Sequence, residues 1–358
     1  MAYEPKYKIT DNILARVAEI ESIKTKVDSS YILPEREIEM RHRATVEATH
    51  SSTSIEGNPL DYRQVERALS TTTALTRHQY AELEVRNYGK ALDFVDKRKK
   101  INNPITLQDI LKLHAIIMDG LLPDDKVGKL RKNDVYIINQ NDVVQYIGPE
   151  AGVVANELQK LLNWLDDASL SVHPIIGAGL LHFQFVSIHP FSDGNGRTTR
   201  ALTTLYLGLR DYDLRGSLVL DSYYSVAKQE YYSALHDSQG NNYAKAATSD
   251  VTRWLDYFTT GFLSSAKILL TEITLISSAI GDIPARINHD EADILAYAKQ
   301  FSAISLSDTE AILPHIARRT LQRRLNSLVD RGYLRLEGKA RNIVYSWNRE
   351  KNDKGNNQ

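Results

Sequence analysis

His189-Pro190-Phe191-Ser192-Asp193-Gly194-Asn195-Gly196-Arg197-Thr198-Thr199-Arg200 gathers a base, a carboxylate, two glycines and two arginines into twelve consecutive residues. That combination suits the handling of phosphate. Gly194-Asn195-Gly196 lets backbone N–H groups turn toward an anion. The run from Thr198 to Leu209 has the composition of a helix, whose first turn is electropositive. An anion is therefore expected at this junction. Taken singly, a His-Pro pair reads as a turn and Gly-Asn-Gly as a tight loop. Their joint occurrence is what points to chemistry. A competing reading takes His182, His189 and Asp193 as ligands of zinc or iron, since imidazole and carboxylate suit those metals. It leaves the arginines and glycines without a role. His182 also lies in the apolar run Gly179-Leu180-Leu181-His182-Phe183, where a hydrogen-bonded core histidine is the commoner outcome.

The stretch resembles the motif of the Fic family of nucleotidyl transferases, His-Pro-Phe-x-Asp/Glu-Gly-Asn-Gly-Arg-x-x-Arg, and every specified position is present. Thr199 stands where many members carry glycine. The resemblance implies that His189 deprotonates a Ser, Thr or Tyr hydroxyl on a target protein, whose oxygen attacks the α-phosphate of ATP and leaves AMP on the side chain. It implies that Asp193 holds Mg²⁺, an ion that completes its shell with phosphate oxygens and water. Gly194, Asn195, Gly196, Arg197, Thr198, Thr199 and Arg200 would bind ATP. Asn195 and the neighbouring N–H groups would form an anion hole, and Arg197 and Arg200 would grip the β- and γ-phosphates.

A second element strengthens the resemblance. Ser51-Ser52-Thr53-Ser54-Ile55-Glu56-Gly57-Asn58 fits the family's inhibitory pattern Ser/Thr-x-x-x-Glu-Gly/Asn through Ser52, Glu56 and Gly57. In members where this element precedes the core, its glutamate pairs with the second motif arginine, here Arg200, and blocks the γ-phosphate position. Some relatives use the same glutamate to activate water and remove AMP. Without the family, Pro34 to Ile55 reads as a helix that stops at Gly57 and Pro59, with Glu56 near its end. Negative charge there is mildly unfavourable, so an arginine partner from elsewhere is a sensible expectation.

Gly128 to Ile138 is a β-type stretch with a turn signal at Asn133-Asp134. It resembles the family's flap, a hairpin that aligns the target by strand addition, with Leu130, Val135, Tyr136 and Ile137 as the docking residues. The alternative is a plain surface ribbon. Past the motif, Leu220-Asp221-Ser222-Tyr223-Tyr224 and Tyr231-Tyr232 follow the family's tyrosine-rich tail. Tyr232 is a candidate adenine contact, although tyrosines at such spacing commonly serve as core and rim side chains.

The chain of 358 residues has a formal net charge of -1, 42% hydrophobic and 25% charged residues, and no cysteine. These values fit a globular protein with an ample core. They exclude disulfides and thiol catalysis, and they give no global attraction to nucleic acid or anionic lipid. Met1 to Lys8 lacks the apolar core of a signal peptide. Ile268 to Ile280 is too short and interrupted to span a membrane. The expected location is cytoplasmic.

Helical periodicity dominates up to about residue 280, as in Thr106 to His114, where a threonine cap precedes apolar residues at helical spacing. Gly281-Asp282-Ile283-Pro284 marks the expected boundary. Beyond it, Ser307-Asp308-Thr309-Glu310 reads as a capping box. A helix with leucines at 321, 325 and 328 follows, and then two strands around Gly338. That order resembles a winged helix, with Arg318, Arg319, Arg323, Arg324, Lys339 and Arg341 on a basic face of the kind that meets DNA. The alternative is a solvated face on a dimerisation or docking platform.

The expected architecture is mainly α: a Fic-type helical bundle core with a short β-hairpin flap, followed by a small winged helix-turn-helix domain. Residues 1–100 form the N-terminal helical region with the inhibitory helix at about 35–57, and 101–280 the catalytic core. Residues 285–349 are the winged-helix-like domain and 350–358 a disordered tail. The expected partners are ATP and an unidentified target protein, with a homodimer and DNA as further candidates and no membrane. A nucleotide-sensing DNA regulator, or a Fic enzyme with another donor or the reverse reaction, are the competing functions.

Overall fold

The computed structural model describes residues 2–30, 32–70, 79–138, 144–168, 171–280, 289–314, 316–338 and 343–348. Among them the chain is mainly helical. The helices of the first part are α1 Asp11–Ser29, α2 Pro34–Ile55, α3 Tyr62–Ser70, α4 Gln79–Arg98 and α5 Leu107–Ile117. A two-stranded antiparallel ribbon, β1 Tyr136–Ile138 with β2 Val144–Ile147, comes next. It leads into α6 Val154–Ala168, α7 Pro174–Ile188, α8 Asn195–Leu209, α9 Leu220–Val226, α10 Lys228–Gln239, α11 Tyr243–Ala246 and α12 Thr252–Ile280.

The termini of several helices follow from local chemistry. Thr106 caps α5 with a reciprocal box: its hydroxyl accepts from the Asp109 N–H, and the Asp109 carboxylate accepts from the Thr106 N–H. Pro34 opens α2, where its missing N–H costs nothing. Apart from His182 and Gln184, α7 is apolar or small from Ile175 to Phe185, and all of those residues are buried. A helix of that kind belongs in the middle of a bundle. It packs against α6 and α8, and α8 packs in turn against α4 and α5. The two motif-bearing ends, the last turn of α7 and the first turn of α8, are thereby held from several sides.

The chain divides into two compact units, Met1–Asp28 with Met40–Leu270, and Ser29–Glu39 with Thr271–Gln358. This differs from the division expected from sequence. Apart from 29–39, residues 1–100 fall within the same unit as the core. Gly281 to Pro284, the expected boundary, lies outside the described residues, as does the tail 350–358.

In the second unit the order is α13 His289–Phe301, β3 Ala303–Ile304, α14 Leu306–Ile312, α15 Arg318–Asp330, β4 Leu334–Glu337 and β5 Val344–Trp347. The strands form one antiparallel sheet in the order β3-β5-β4. Leu321, Leu325 and Leu328 of α15 are fully buried against Ile294, Leu295 and Tyr345. The capping box of α14 is built by Ser305 with Asp308 rather than opened at Ser307, because the Ser305 hydroxyl and the Asp308 carboxylate satisfy each other's backbone N–H. Of the four α15 arginines expected on the basic face, Arg318 bonds Glu310 and Arg324 bonds Asp290. Arg319 and Arg323 are exposed. Lys339 and Arg341 lie outside the described residues. No helix among the described residues is long and apolar enough to cross a membrane.

Candidate active site

α7 ends where His189 adopts the left-handed conformation, with φ 51° and ψ 61°, and Pro190 follows. The His189 Nδ1–H donates to the Val186 carbonyl at 3.3 Å. A carbonyl can only accept, so the proton sits on Nδ1 and Nε2 carries the free lone pair. Burial pushes the imidazole down to about 4, with Arg131 acting in the same direction and the Glu56 and Asp193 carboxylates opposing. His189 is therefore neutral at ordinary pH, the form a general base requires.

The loop between the helices is built from inside. The Asn195 amide accepts from the Phe191 N–H and donates to the Phe191 carbonyl, both at 2.9 Å. The Phe191 ring stacks on His114 with centroids 3.7 Å apart. His114 accepts from the Gly128 N–H at Nδ1 and donates from Nε2–H to the Asp193 carbonyl at 3.1 Å. Gly194, at φ 74°, makes the turn into α8, and a Cβ there would lie 2.5 Å from the Met118 sulfur. The first intrahelical bond of α8 runs from Thr198 N–H to Gly194 carbonyl at 3.0 Å. The N–H groups of Asn195, Gly196 and Arg197 precede it and have no acceptor among the described residues, which leaves an electropositive cradle.

Glu56 lies over this cradle. Its side chain is 28% exposed, and its Oε1 accepts from Arg200 Nη2 at 2.8 Å. A Cβ placed on Gly196 would come within 2.4 Å of that oxygen, so a larger residue there would displace the carboxylate. Burial acts to raise the Glu56 carboxyl, but the Arg200 guanidinium outweighs it, with Arg197 and Lys228 adding, and the group sits below the usual carboxylate range.

Arg200, 1% exposed, is held by several protein acceptors. Its Nε bonds the Ser52 hydroxyl at 2.7 Å and lies 3.2 Å from Asp221 Oδ1, while Nη2 also reaches the Ser52 carbonyl at 2.9 Å. Arg197 bonds Glu84 at 2.5 Å and approaches Asp193 at 3.6 Å. Its buried Nε has no acceptor among the described residues. The other Glu84 oxygen accepts from the Asn58 amide at 2.6 Å. Burial raises the carboxyls of both Glu84 and Asp221, against the pull of Arg197 and Arg200 respectively.

Several side chains expected to bind ATP are committed elsewhere. The Asn195 amide shapes the loop, as above. Thr198 and Thr199 are fully buried, and their hydroxyls donate to the carbonyls of Gly194 and Asn195 at 2.8 and 2.7 Å. Their contribution is to the helix, and the cradle is made of backbone and of Arg197 and Arg200. His182 is a core residue: its Nδ1 pairs with the Thr203 hydroxyl at 3.2 Å and its Nε2 with the Tyr231 hydroxyl at 2.9 Å, which leaves no nitrogen for a metal.

Tyr232 is 44% exposed. Its hydroxyl is pushed up to about 12 by burial and by Glu56, with Arg200 opposing. Tyr224 and Tyr231, by contrast, are stacked and buried. β1 and β2 are joined through residues outside the described ones, and not through Asn133-Asp134. Asn133 and Asp134 lie before β1, where their acceptors hold Arg131 and the Ala151 N–H. Tyr136 and Ile137 are exposed at 58% and 36%, and Leu130 and Val135 are half-buried.

Residues 104–207 match the Fic/DOC family. The chain carries a Fic domain. It is 32% identical over 194 residues to "Protein adenylyltransferase Fic" of Drosophila erecta, which covers 52% of this chain and 38% of the relative. It is 34% identical over 160 residues to the protein of the same name in Drosophila mojavensis, covering 44% of this chain and 30% of the relative. The chain thus spans well under half the length of these relatives. Among solved structures, a Fic family protein from Desulfovibrio desulfuricans G20 superposes with a TM-score of 0.64 at 23% identity, over 96% of this chain and 98% of that one. Fic-1 from C. elegans gives a TM-score of 0.57 at 24% identity, over 73% and 74%. Both show the shared fold.

Proposed function

We propose that this protein is a Mg²⁺-dependent protein adenylyltransferase that Glu56 holds in check. The observation carrying the proposal is the pairing of an Nδ1-protonated His189 with an electropositive cradle at the start of α8 that is covered by one carboxylate. A carboxylate in a cradle of N–H groups and a guanidinium stands where a phosphate would be held.

In the reaction, a target hydroxyl gives its proton to His189 Nε2, and its oxygen forms a bond to the α-phosphorus of ATP. The bond from that phosphorus to the bridging oxygen breaks, and pyrophosphate leaves. The N–H groups of Asn195, Gly196 and Arg197 stabilise charge growing on the phosphate oxygens, and Arg197 neutralises the leaving group. Asp193, with a side chain 54% exposed beside the cradle, fits a magnesium ion that draws the rest of its shell from phosphates and water. Such an ion would offset phosphate charge. No cluster of three or more His, Cys, Asp or Glu side chains stands ready to bind metal unaided among the described residues.

With Glu56 in place, Arg200 Nη2 is taken by the Ser52 carbonyl and the Glu56 carboxylate, whose charge repels the terminal phosphate, so ATP binds with its α-phosphate out of line. The exposed edge residues Tyr136 and Ile137 support docking of a target strand on the ribbon. The helix order and three-stranded sheet of the second unit support a winged-helix reading, with a protein target as its partner. The ion pairs of Arg318 and Arg324 weaken the case for DNA.

The test compares wild type, Glu56→Gly and Glu56→Gly/His189→Ala proteins incubated with Mg²⁺ and α-labelled ATP. Label on the single variant alone supports the proposal. Equal label on the double variant removes His189 as the base.

A further inference from the structure

Arg131 is a buried cation solvated almost entirely by carbonyl oxygens. Its side chain is 1% exposed, and the nearest carboxylate, Asp134, is 4.0 Å away and half exposed. Its Nε–H donates to the His189 carbonyl at 2.8 Å, Nη1 to the Asn133 carbonyl at 2.9 Å, and Nη2 to the Pro149 carbonyl at 2.5 Å. Its own backbone N–H donates to the Pro190 carbonyl at 3.0 Å. Burying a charge without a close counter-ion is costly unless every donor is used, and here the donors are spent on three chain segments at once. Asn133 precedes β1 and Pro149 follows β2, so both ends of the ribbon are tied to the residue that carries the imidazole.

We propose that Arg131 is a positioning residue that couples the target-docking ribbon to the catalytic base, fixing where the His189 ring points relative to a docked strand. His189 is the residue that needs fixing. Its left-handed backbone is uncommon for a side chain other than glycine, and such a conformation persists only when the surroundings over-determine it. The two consecutive carbonyls held by Arg131, of His189 and Pro190, set the two peptide planes that follow the His189 Cα. Arg131 also acts on the ring as a charge, together with Glu56 and Asp193. A guanidinium suits this task better than an ammonium, since its donors diverge in a fixed plane toward three acceptors.

The inference rests on the transferase reading for its kinetic test, and an independent readout separates the two. In the Glu56→Gly background, Arg131→Ala is expected to lower the self-labelling rate at saturating ATP by about 100-fold, the scale of a misplaced reacting group. The ATP concentration for half-maximal rate should stay unchanged. Arg131→Lys restores the rate in part, and so does guanidinium ion at millimolar concentration added to Arg131→Ala. The acid limb of the pH profile moves to higher pH, since a cation near His189 is gone.

The ¹⁵N spectrum of the His189 ring, recorded without any reaction, should show one Nδ1–H tautomer in the parent and a mixture in Arg131→Ala. A parent that labels nothing overturns the transferase reading alone, and the ring spectrum then decides this one. An unchanged tautomer overturns the positioning role if the rate is also unchanged, or if the lost rate shows no guanidinium rescue.

Discussion

Replacing Glu56 by glycine removes one contact from Arg200 and leaves three. The Ser52 hydroxyl and carbonyl and the Asp221 carboxylate remain in place at 2.7, 2.9 and 3.2 Å. The lost bond is a charge-assisted one of 2.8 Å to a guanidinium 1% exposed, worth about 1.5–3 kcal/mol. If that energy is what favours the closed arrangement, the competent state is populated about 10- to 150-fold less in the wild type than without the brake. Transfer from saturating ATP should rise by roughly that factor, and Glu56→Gln, which keeps an acceptor but not the charge, should fall between. Because Asp221 still neutralises Arg200, the stability loss should stay near 1–3 kcal/mol rather than the larger cost of an orphaned buried charge. Initial rates of label incorporation from α-labelled ATP measure the first effect, and urea unfolding measures the second. Equal rates for wild type and Glu56→Gly, with ATP bound by both, would refute the reasoning.

Other consequences can be checked separately. Burial holds His189 down to about 4, so the base is lost only as pH falls through that region, and the Glu56→Gly rate should be flat from about pH 6 to 8. A rate that halves near pH 6.5 would place the imidazole in water. Glu84→Leu removes the closer and more buried of the two Arg197 carboxylate partners, leaving the half-exposed Asp193 at 3.6 Å, and should cost about 3–5 kcal/mol, seen as an earlier urea midpoint. Leu325→Ala in the second unit, at a side chain 0% exposed, should cost about 2–5 kcal/mol, read from the same unfolding curves.

What the sequence made legible was local. The bounds of α2, the Thr106 box and the helix after Gly194 all follow from caps, breakers and periodicity within a few residues. His189, Asp193 and the glycines stand out as candidates because the motif packs them together. The partners of the motif do not. Glu84 and Asp221, which neutralise Arg197 and Arg200, are 113 and 21 residues away along the chain, and no periodicity announces such pairings.

His114 and Arg131 were hidden in the same way. One read as a face residue of α5 and the other as part of a ribbon, yet both hold the loop through carbonyls that have no sequence signature. The internal bonds of the Asn195, Thr198 and Thr199 side chains carry no sequence signature for a related reason. A polar residue beside an anion site bonds the backbone as readily as the ligand, and their choice is settled by packing. The ribbon turn was misplaced because Asn133-Asp134 has turn chemistry but serves as a set of acceptors ahead of β1.

The most direct test of the account gives the Glu56→Gly protein Mg²⁺ and ATP labelled either at the α- or at the γ-phosphate, and follows protein-bound label and released pyrophosphate together. The account predicts label from the α position only, with one pyrophosphate released for each AMP bound. Label from the γ position, or pyrophosphate without protein-bound AMP, would contradict it.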